Sequence, residues 1–351
     1  MHHSEIKSEI RQLIAAGTVI PAHPLALDAH RKLDQRHQRA LTRYYIDAGA
    51  GGLAVGVHTT QFAIRDVGLY RPVLELAAET ANDWIKRPLA LVAGLCGPTQ
   101  QAIAEAKVAL GIGYHAGLLS LAAMKSASED EIIAHCQAVA REIPLIGFYL
   151  QPAVGGVILS ANFRRRFAAI DNVIAIKVAP FNRYRTIDVL RGVAAAGALD
   201  RVALYTRNDD HILLDLSLPF DLRENGVTTR AYFSGGLLGH WSVWTASAIR
   251  QFEMCKAARA TASVAADLLA LDARVTDCNS AFFDVANNFH GCIAGCHEIL
   301  RRQGLMQGTW CLDPEEGLSP GQLEEIDRVC REHADLSDDV FVAANLQKWL
   351  A

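Results

Sequence analysis

Short apolar runs alternate with longer amphipathic stretches along most of this chain, and that alternation limits its fold more than any other feature. Neighbouring parallel strands need long crossovers, and amphipathic helices between apolar strands supply them. Eight apolar runs, at 17–25, 52–57, 89–94, 116–121, 145–150, 173–178, 202–205 and 231–234, read as strands. Helical patterns fill 28–47, 71–84, 98–110, 128–142, 160–169 and 185–196, and a closing helix spans 243–258. The least regular stretch, 210–230, holds a short helix over 212–218. Ser128 followed by Glu129, Asp130 and Glu131 marks a helix start, and Gly197 marks a stop. Eight strands in this rhythm predict an α/β fold closed as a (β/α)8 TIM barrel.

The 351 residues exceed the roughly 250 of a plain barrel. The surplus reads as further helices over 262–271, 281–290, 294–303 and 320–332, with no low-complexity linker before them. The expectation is a barrel over residues 1–258 and a C-terminal helical extension over 259–351 packed on it. With 51% hydrophobic residues the chain has enough apolar surface for a large core. A net charge of -4 and the lack of a basic stripe argue against a nucleic-acid partner. No apolar run reaches the ~18 residues of a membrane span, and residues 1–12 are too polar for a signal peptide. The eight cysteines form no CxxC pair, so free thiols in a cytoplasmic protein are expected.

One charged residue breaks an otherwise apolar strand. In 173–178, alternation places Val173, Ala175 and Lys177 on the barrel's inward face and Ile174, Ile176 and Val178 toward the helices. A lysine held inside a barrel loses hydration, which favours its neutral amine. A neutral amine attacks carbonyls and forms an imine that serves as an electron sink. Lys177 also lies near the C-terminal end of its strand, where barrel active sites sit. The plainer alternative is a buried lysine paired with an acid. Tyr149, on the preceding strand, is expected to converge with Lys177 and shuttle protons; a core tyrosine is the alternative.

Other candidates are polar loops at strand ends. The turn Gly56-Val57-His58-Thr59-Thr60-Gln61 offers hydroxyls and N–H groups that can hold a carboxylate, with His58 assisting if it points inward. Asn208-Asp209-Asp210-His211 follows strand 7 and suits substrate hydroxyls. Gly235 and Gly236, after strand 8, suit a carboxylate or hydroxyl contact, and Arg183 an anionic group. Cys292, Cys296 and His297 read as packing on a tail helix, not as a metal cluster.

Together these residues resemble the dihydrodipicolinate synthase and N-acetylneuraminate lyase family of class I aldolases. Ile176-Lys177 stands where that family carries its Schiff-base lysine, and Tyr149 with Pro152 matches its Tyr-x-x-Pro. The family's Gly-Thr-Thr-Gly-Glu motif falls on Val57-His58-Thr59-Thr60-Gln61, where only Thr59 keeps its type. The arginine that the synthase carries after Tyr-x-x-Pro is replaced by Ala153-Val154-Gly155-Gly156. The tyrosine it supplies near the end of strand 4 is replaced by Ala122-Ala123-Met124-Lys125. The resemblance implies a lyase or aldolase that joins or splits a pyruvate-like 2-oxo acid and an aldehyde or sugar acid, and that is not dihydrodipicolinate synthase itself. It implies Lys177 as the imine-forming residue, Tyr149 as proton relay and Thr59 at the carboxylate, with no metal or organic cofactor. A homodimer or homotetramer is the expected assembly. Two rival readings stand beside it. One is a metal-dependent barrel enzyme using Asp209, Asp210, His211 and His240, and the other is a catalytically silent barrel that binds a metabolite.

Overall fold

The computed structural model describes residues 1–150, 156–224 and 226–351. Its strands are β1 (Val19–Pro21), β2 (Gly52–Val55), β3 (Ala90–Leu95), β4 (Ala116–Leu119), β5 (Leu145–Leu150), β6 (Val173–Ala179), β7 (Ala203–Thr206), β8 (Phe220–Glu224), β9 (Val227–Ala231) and β10 (Gly235–Leu238). The barrel helices are α1 (Ser8–Ala16), α2 (Gln35–Ala48), α3 (Tyr70–Trp84), α4 (Thr99–Ile112), α5 (Glu129–Ala140), α6 (Ala161–Ala168), α7 (Arg183–Ala195), α8 (Ile212–Ser217) and α9 (Thr245–Thr261). The tail adds α10 (Ala266–Phe282), α11 (Cys292–Arg302), α12 (Gln322–Glu332) and α13 (Asp339–Leu350). Eight parallel strands run in the order β1-β10-β7-β6-β5-β4-β3-β2, and a bridge between Ala22 and Ala54 brings the ring together. This is the expected (β/α)8 barrel with C-terminal helices. No helix among the described residues is long and apolar enough to cross a membrane, and all eight cysteines are free.

Two buried layers separate the faces of the strands. The inner layer joins Ile20, Ala54, Val92, Leu118, Ile146, Ala175, Tyr205 and Leu237 across the barrel axis. Ile10 and Ile14 from α1, a helix absent from the sequence reading, and Ile6 just before it complete the layer, and the Tyr205 hydroxyl donates to the Ile14 carbonyl at 2.8 Å. The helix therefore plugs the N-terminal end of the barrel. The outer layer, beneath the helices, holds Leu53, Leu91, Leu119, Leu145, Ile176, Val178 and Leu204.

Four expectations are corrected. The register of β5 and β6 jumps from Leu145↔Val173 to Ile146↔Ala175, a bulge at Ile174. Two consecutive residues, Ile174 and Ala175, then face the interior, while Val173 faces the helices. Beyond the bulge the alternation holds and Lys177 points inward. Strand 8 is Gly235–Leu238, four residues later than read, because 227–231 pairs instead with 220–224 in an antiparallel hairpin. In the tail, one helix runs through 266–282, and the α-helix expected over 281–290 does not continue past Phe282. Asp284, Asn288 and Phe289 take positive φ there and break helical geometry. Finally, α13 was not foreseen; it packs on α2.

Candidate functional site

The C-terminal end of β6 carries Lys177, 4% exposed among apolar neighbours. Its parallel partner across the ladder is Phe148, so the two side chains share the inner face, and the Lys177 Nζ sits 4.5 Å from the Phe148 ring centroid. Burial pushes the amine well below the ordinary lysine range; the Arg207 cation pushes the same way, and Asp209 partly opposes it. Both effects favour the neutral form of the amine.

Loops close a small chamber over it. Val57, His58 and Thr59 line one side, Arg207 and Gly239 another, and Phe283, Phe289 and Cys292 reach in from the tail. The turn after β2 is built by Thr60, whose hydroxyl accepts from the Gly56 and Val57 N–H groups (3.0 and 3.2 Å) and donates to the His23 carbonyl at 2.7 Å. Thr60 therefore shapes the turn while His58 and Thr59 face the chamber. Burial, aided by Arg207 and Lys177, lowers His58 to about 4, so it is neutral at pH 7. Beneath the same turn, Arg65 makes a bidentate pair with Glu105 (both 2.9 Å) and donates to the Gly94 carbonyl. Chain strain gathers at this mouth: Gln61, Phe181 and Phe289 all hold positive φ without being glycine.

Arg207, directly after β7, was not singled out in the sequence. Its guanidinium lies over the Phe181 ring at 5.3 Å, its Nε is 3.5 Å from the Asp209 carboxylate, and its Nη1 is buried without a hydrogen-bond partner. Both carboxylate oxygens of Asp209 are likewise buried and unpartnered. Burial raises Asp209 to about 6, against the pull of Arg207 and Lys177, with Asp210 adding to the rise. The backbone of this loop is fixed by the tail, since Asn279 donates to the Asp209 carbonyl at 2.7 Å and Thr276 to that of Asp210 at 2.9 Å.

Several expected site residues lie elsewhere. Tyr149 is on the outer face of β5, opposite to Phe148, and does not meet Lys177. Its hydroxyl accepts from Arg164 at 2.7 Å, and the Arg164 guanidinium stacks 4.6 Å from its ring centroid. The reason is register: Phe148 pairs with Lys177, which leaves Tyr149 paired with outward Val178. Pro152 of the Tyr-x-x-Pro motif lies outside the described residues. Asn208 is spent on structure, donating to Asp215 (2.8 Å) and Thr186 (3.2 Å) and accepting from the Phe181 N–H. Arg183 pairs with the same Asp215. Gly235 and Gly236 form the strand itself: a Cβ would fall 2.4 Å from the Thr18 carbonyl oxygen at the first and 2.5 Å from Trp241 at the second. Asp209, Asp210, His211 and His240 do not form a ligand set. His211 faces Asp272 at 3.4 Å, and the His240 ring stacks on Phe282. Among the described residues the one trio close enough to share an ion is His2, His3 and Asp171, and Asp171 precedes β6 at the end opposite to Lys177.

Comparison with known proteins follows the same lines. The model of the dihydrodipicolinate synthetase family matches residues 15–220. No protein with a curated description matches the sequence. Among solved structures, the chloride-inhibited dihydrodipicolinate synthase from Acinetobacter baumannii complexed with pyruvate superposes with a TM-score of 0.73 at 19% identity, over 90% of this chain and 98% of that one. The dihydrodipicolinate synthase from Aquifex aeolicus gives 0.73 at 16% identity, over 91% and 98%. CdNal from Clostridium difficile, in complex with mannosamine, gives 0.72 at 16% identity, over 90% and 98%. At these identities the likeness is one of fold.

Proposed function

The chain belongs to the dihydrodipicolinate synthetase family, and from that premise we propose that it is a lyase of the class I aldolase type, with Lys177 forming an imine to a 2-oxo acid. The observation that carries this reading is a desolvated amine facing inward at the C-terminal mouth of the barrel, where burial first and the Arg207 cation second favour its neutral form. Attack on the 2-oxo carbon and loss of water give the iminium. That group withdraws electrons from the adjacent carbon bond, so a carbon–carbon or carbon–oxygen bond there breaks or forms without a metal. Thr59 faces the chamber where the carboxylate would lie.

The walls also speak to the partner substrate. Val57, Phe148, Leu150, Phe283 and Phe289 make much of the lining apolar. Of the polar residues at the strand ends that suited substrate hydroxyls, Asn208, Gly235 and Gly236 serve the framework, His211 faces Asp272 and the His240 ring stacks on Phe282, which leaves Asp209 with a carboxylate that has no hydrogen-bond partner among the described residues. An aldehyde with an apolar carbon frame fits this lining better than a polyhydroxylated one. The test is cleavage of 4-hydroxy-2-oxo acids bearing alkyl, aryl or hydroxylated tails, with pyruvate release read through lactate dehydrogenase. Release that prefers the apolar tails and persists in EDTA is expected. Release abolished by EDTA and restored by a divalent metal would contradict the imine reading.

Tyr149→Phe separates this chain from its family's usual proton path. With the hydroxyl on the outer face, the variant is expected to keep turnover within about threefold of wild type. It loses about 1–3 kcal/mol of stability, because buried Arg164 gives up a hydrogen-bond acceptor. A hundredfold loss of turnover at unchanged stability would place the hydroxyl at the imine instead.

A further inference from the structure

We propose that Arg207 and Asp209 form the working polar pair of this chamber, Arg207 anchoring the substrate carboxylate and Asp209 carrying the protons of imine chemistry. The proposal rests on the Schiff-base reading of Lys177 and supplies what that reading lacks, a proton carrier in place of Tyr149. Two observations support it independently of that role. Asp209 is 4% exposed, yet neither carboxylate oxygen has a hydrogen-bond partner, and Arg207 likewise keeps a buried N–H unpaired. Buried polar atoms are rarely left unmet in a folded protein, and two such groups side by side at a chamber mouth call for a water, an ion or a ligand between them. The pair is also 3.5 Å apart, longer than a closed ion pair, so each partner has capacity left over.

Arg207 stands in the chamber lining, and Asp209 lies beside it, near enough to Lys177 for the charge of each to act on the other. Val178 and Thr206 are register partners, and the Arg207 N–H donates to the Val178 carbonyl at 2.8 Å. Lys177 is itself registered with Tyr205, so Arg207 leaves the neighbouring strand two residues above it and lines the same chamber. The charges facing Asp209 are Arg207 and Asp210 from its own loop and Lys177 from β6, with the Cys296 thiol on α11 also within its field. An incoming carboxylate adds a negative charge at Arg207 and weakens that residue's hold on the Asp209 anion. Asp209 then takes up a proton as substrate binds, near neutral pH, because its carboxyl already stands at about 6.

The steps balance. The neutral Lys177 nitrogen bonds to the 2-oxo carbon as the carbonyl electron pair moves to oxygen, and one N–H proton passes to that oxygen to give a carbinolamine. Protonated Asp209 donates to the hydroxyl, the carbon–oxygen bond breaks, and water leaves with formation of the iminium and the Asp209 carboxylate. That carboxylate then removes a proton from C3, and the electron pair moves to give the enamine with Asp209 protonated again.

Exchange of the pyruvate methyl protons in D2O, followed by NMR, reads the C3 step, while borohydride reduction and intact mass read imine formation. Asp209→Asn is expected to reach the reduced Lys177 adduct more slowly, because dehydration loses its acid, the adduct itself reporting a folded site, and to lose methyl exchange by at least a hundredfold. Asp209→Glu should recover part of it. Arg207→Met is expected to raise the pyruvate concentration for half-maximal adduct at least thirtyfold, with full adduct at saturation and partial rescue in Arg207→Lys. An adduct in Asp209→Asn with exchange at the wild-type rate would overturn the role of Asp209 alone. Unchanged pyruvate dependence in Arg207→Met would overturn that of Arg207. Absence of any adduct in the wild type would overturn the Schiff-base reading, and the pair with it.

Discussion

Lys177→Met is expected to lower turnover by on the order of 10^4-fold or more, about 5 kcal/mol of barrier, while leaving the protein at least as stable as wild type. The two halves of this prediction come from one fact. The amine is buried at the inner end of an apolar strand, so it is available for attack but unfavourable for folding. Methionine is close to lysine in length, fills the space against Phe148 and has no charge to desolvate. The pH dependence of the stability gain has a definite sign. Unfolded lysine binds a proton below 10.5, whereas native Lys177, with its value well below that, does not. Across the interval between the two values the wild type releases a proton on folding, so its stability rises with pH. The advantage of Lys177→Met is therefore largest at the acidic end of that interval and fades as pH approaches 10.5. Denaturant titrations of both proteins at pH 7 and pH 10 measure it. A variant much less stable than wild type at pH 7 would mean that the amine is a paired structural lysine.

Trp349→Ala is expected to remove about 3–5 kcal/mol of stability with no change in the chemistry of Lys177. Trp349 is fully buried near the end of α13, with ring centroids 5.4 Å from both Tyr44 and Phe341. Its indole N–H donates to Asp47 at 2.8 Å, and Asp47 also accepts from Trp84 at 2.8 Å. The same node extends to Tyr44, whose hydroxyl donates to Asp338 at 2.7 Å at the start of α13. Truncation opens a cavity between α2 and α13 and frees an acceptor, two costs that add. Trp349→Phe keeps most of the stacking and is expected to lose about 1–2 kcal/mol. Urea unfolding with an unchanged slope and a lower midpoint is the measurement. A loss below about 1 kcal/mol would mean that α13 contributes little to holding the tail on the barrel.

What could be read from the chain, and what could not, divides along physical lines. The barrel was legible because eight apolar runs separated by amphipathic stretches have few other ways to bury their faces. Lys177 was legible because one charge stood out in a strand whose alternation remained in phase beyond Ile174. The bulge at Ile174 left no local mark, since Val173, Ile174 and Ala175 are all apolar and each suits either face. Tyr149 shows a related limit. Phe148 and Tyr149 are adjacent aromatics, and only the register against β6, a long-range property, decides which one meets the lysine. Strand 8 was displaced because Gly235-Gly236 reads as a turn, although close approach to Thr18 and Trp241 is what demands glycine there. Arg207 carried a usable signal that went unread: a basic residue directly after a barrel strand, at the end where ligands bind. Its pairing with Asp209 depends on loop geometry set by Asn279 and Thr276, some seventy residues further on.

The central claim is that Lys177 is an imine-forming nucleophile. Its most direct test is borohydride reduction in the presence of pyruvate, followed by intact mass and peptide mapping, with Lys177→Met as control. A single adduct of the mass of reduced pyruvate, located on the peptide containing Lys177 and absent from the control, is the predicted result. No adduct with pyruvate or with larger 2-oxo acids, or an adduct on another lysine that persists in Lys177→Met, would contradict it.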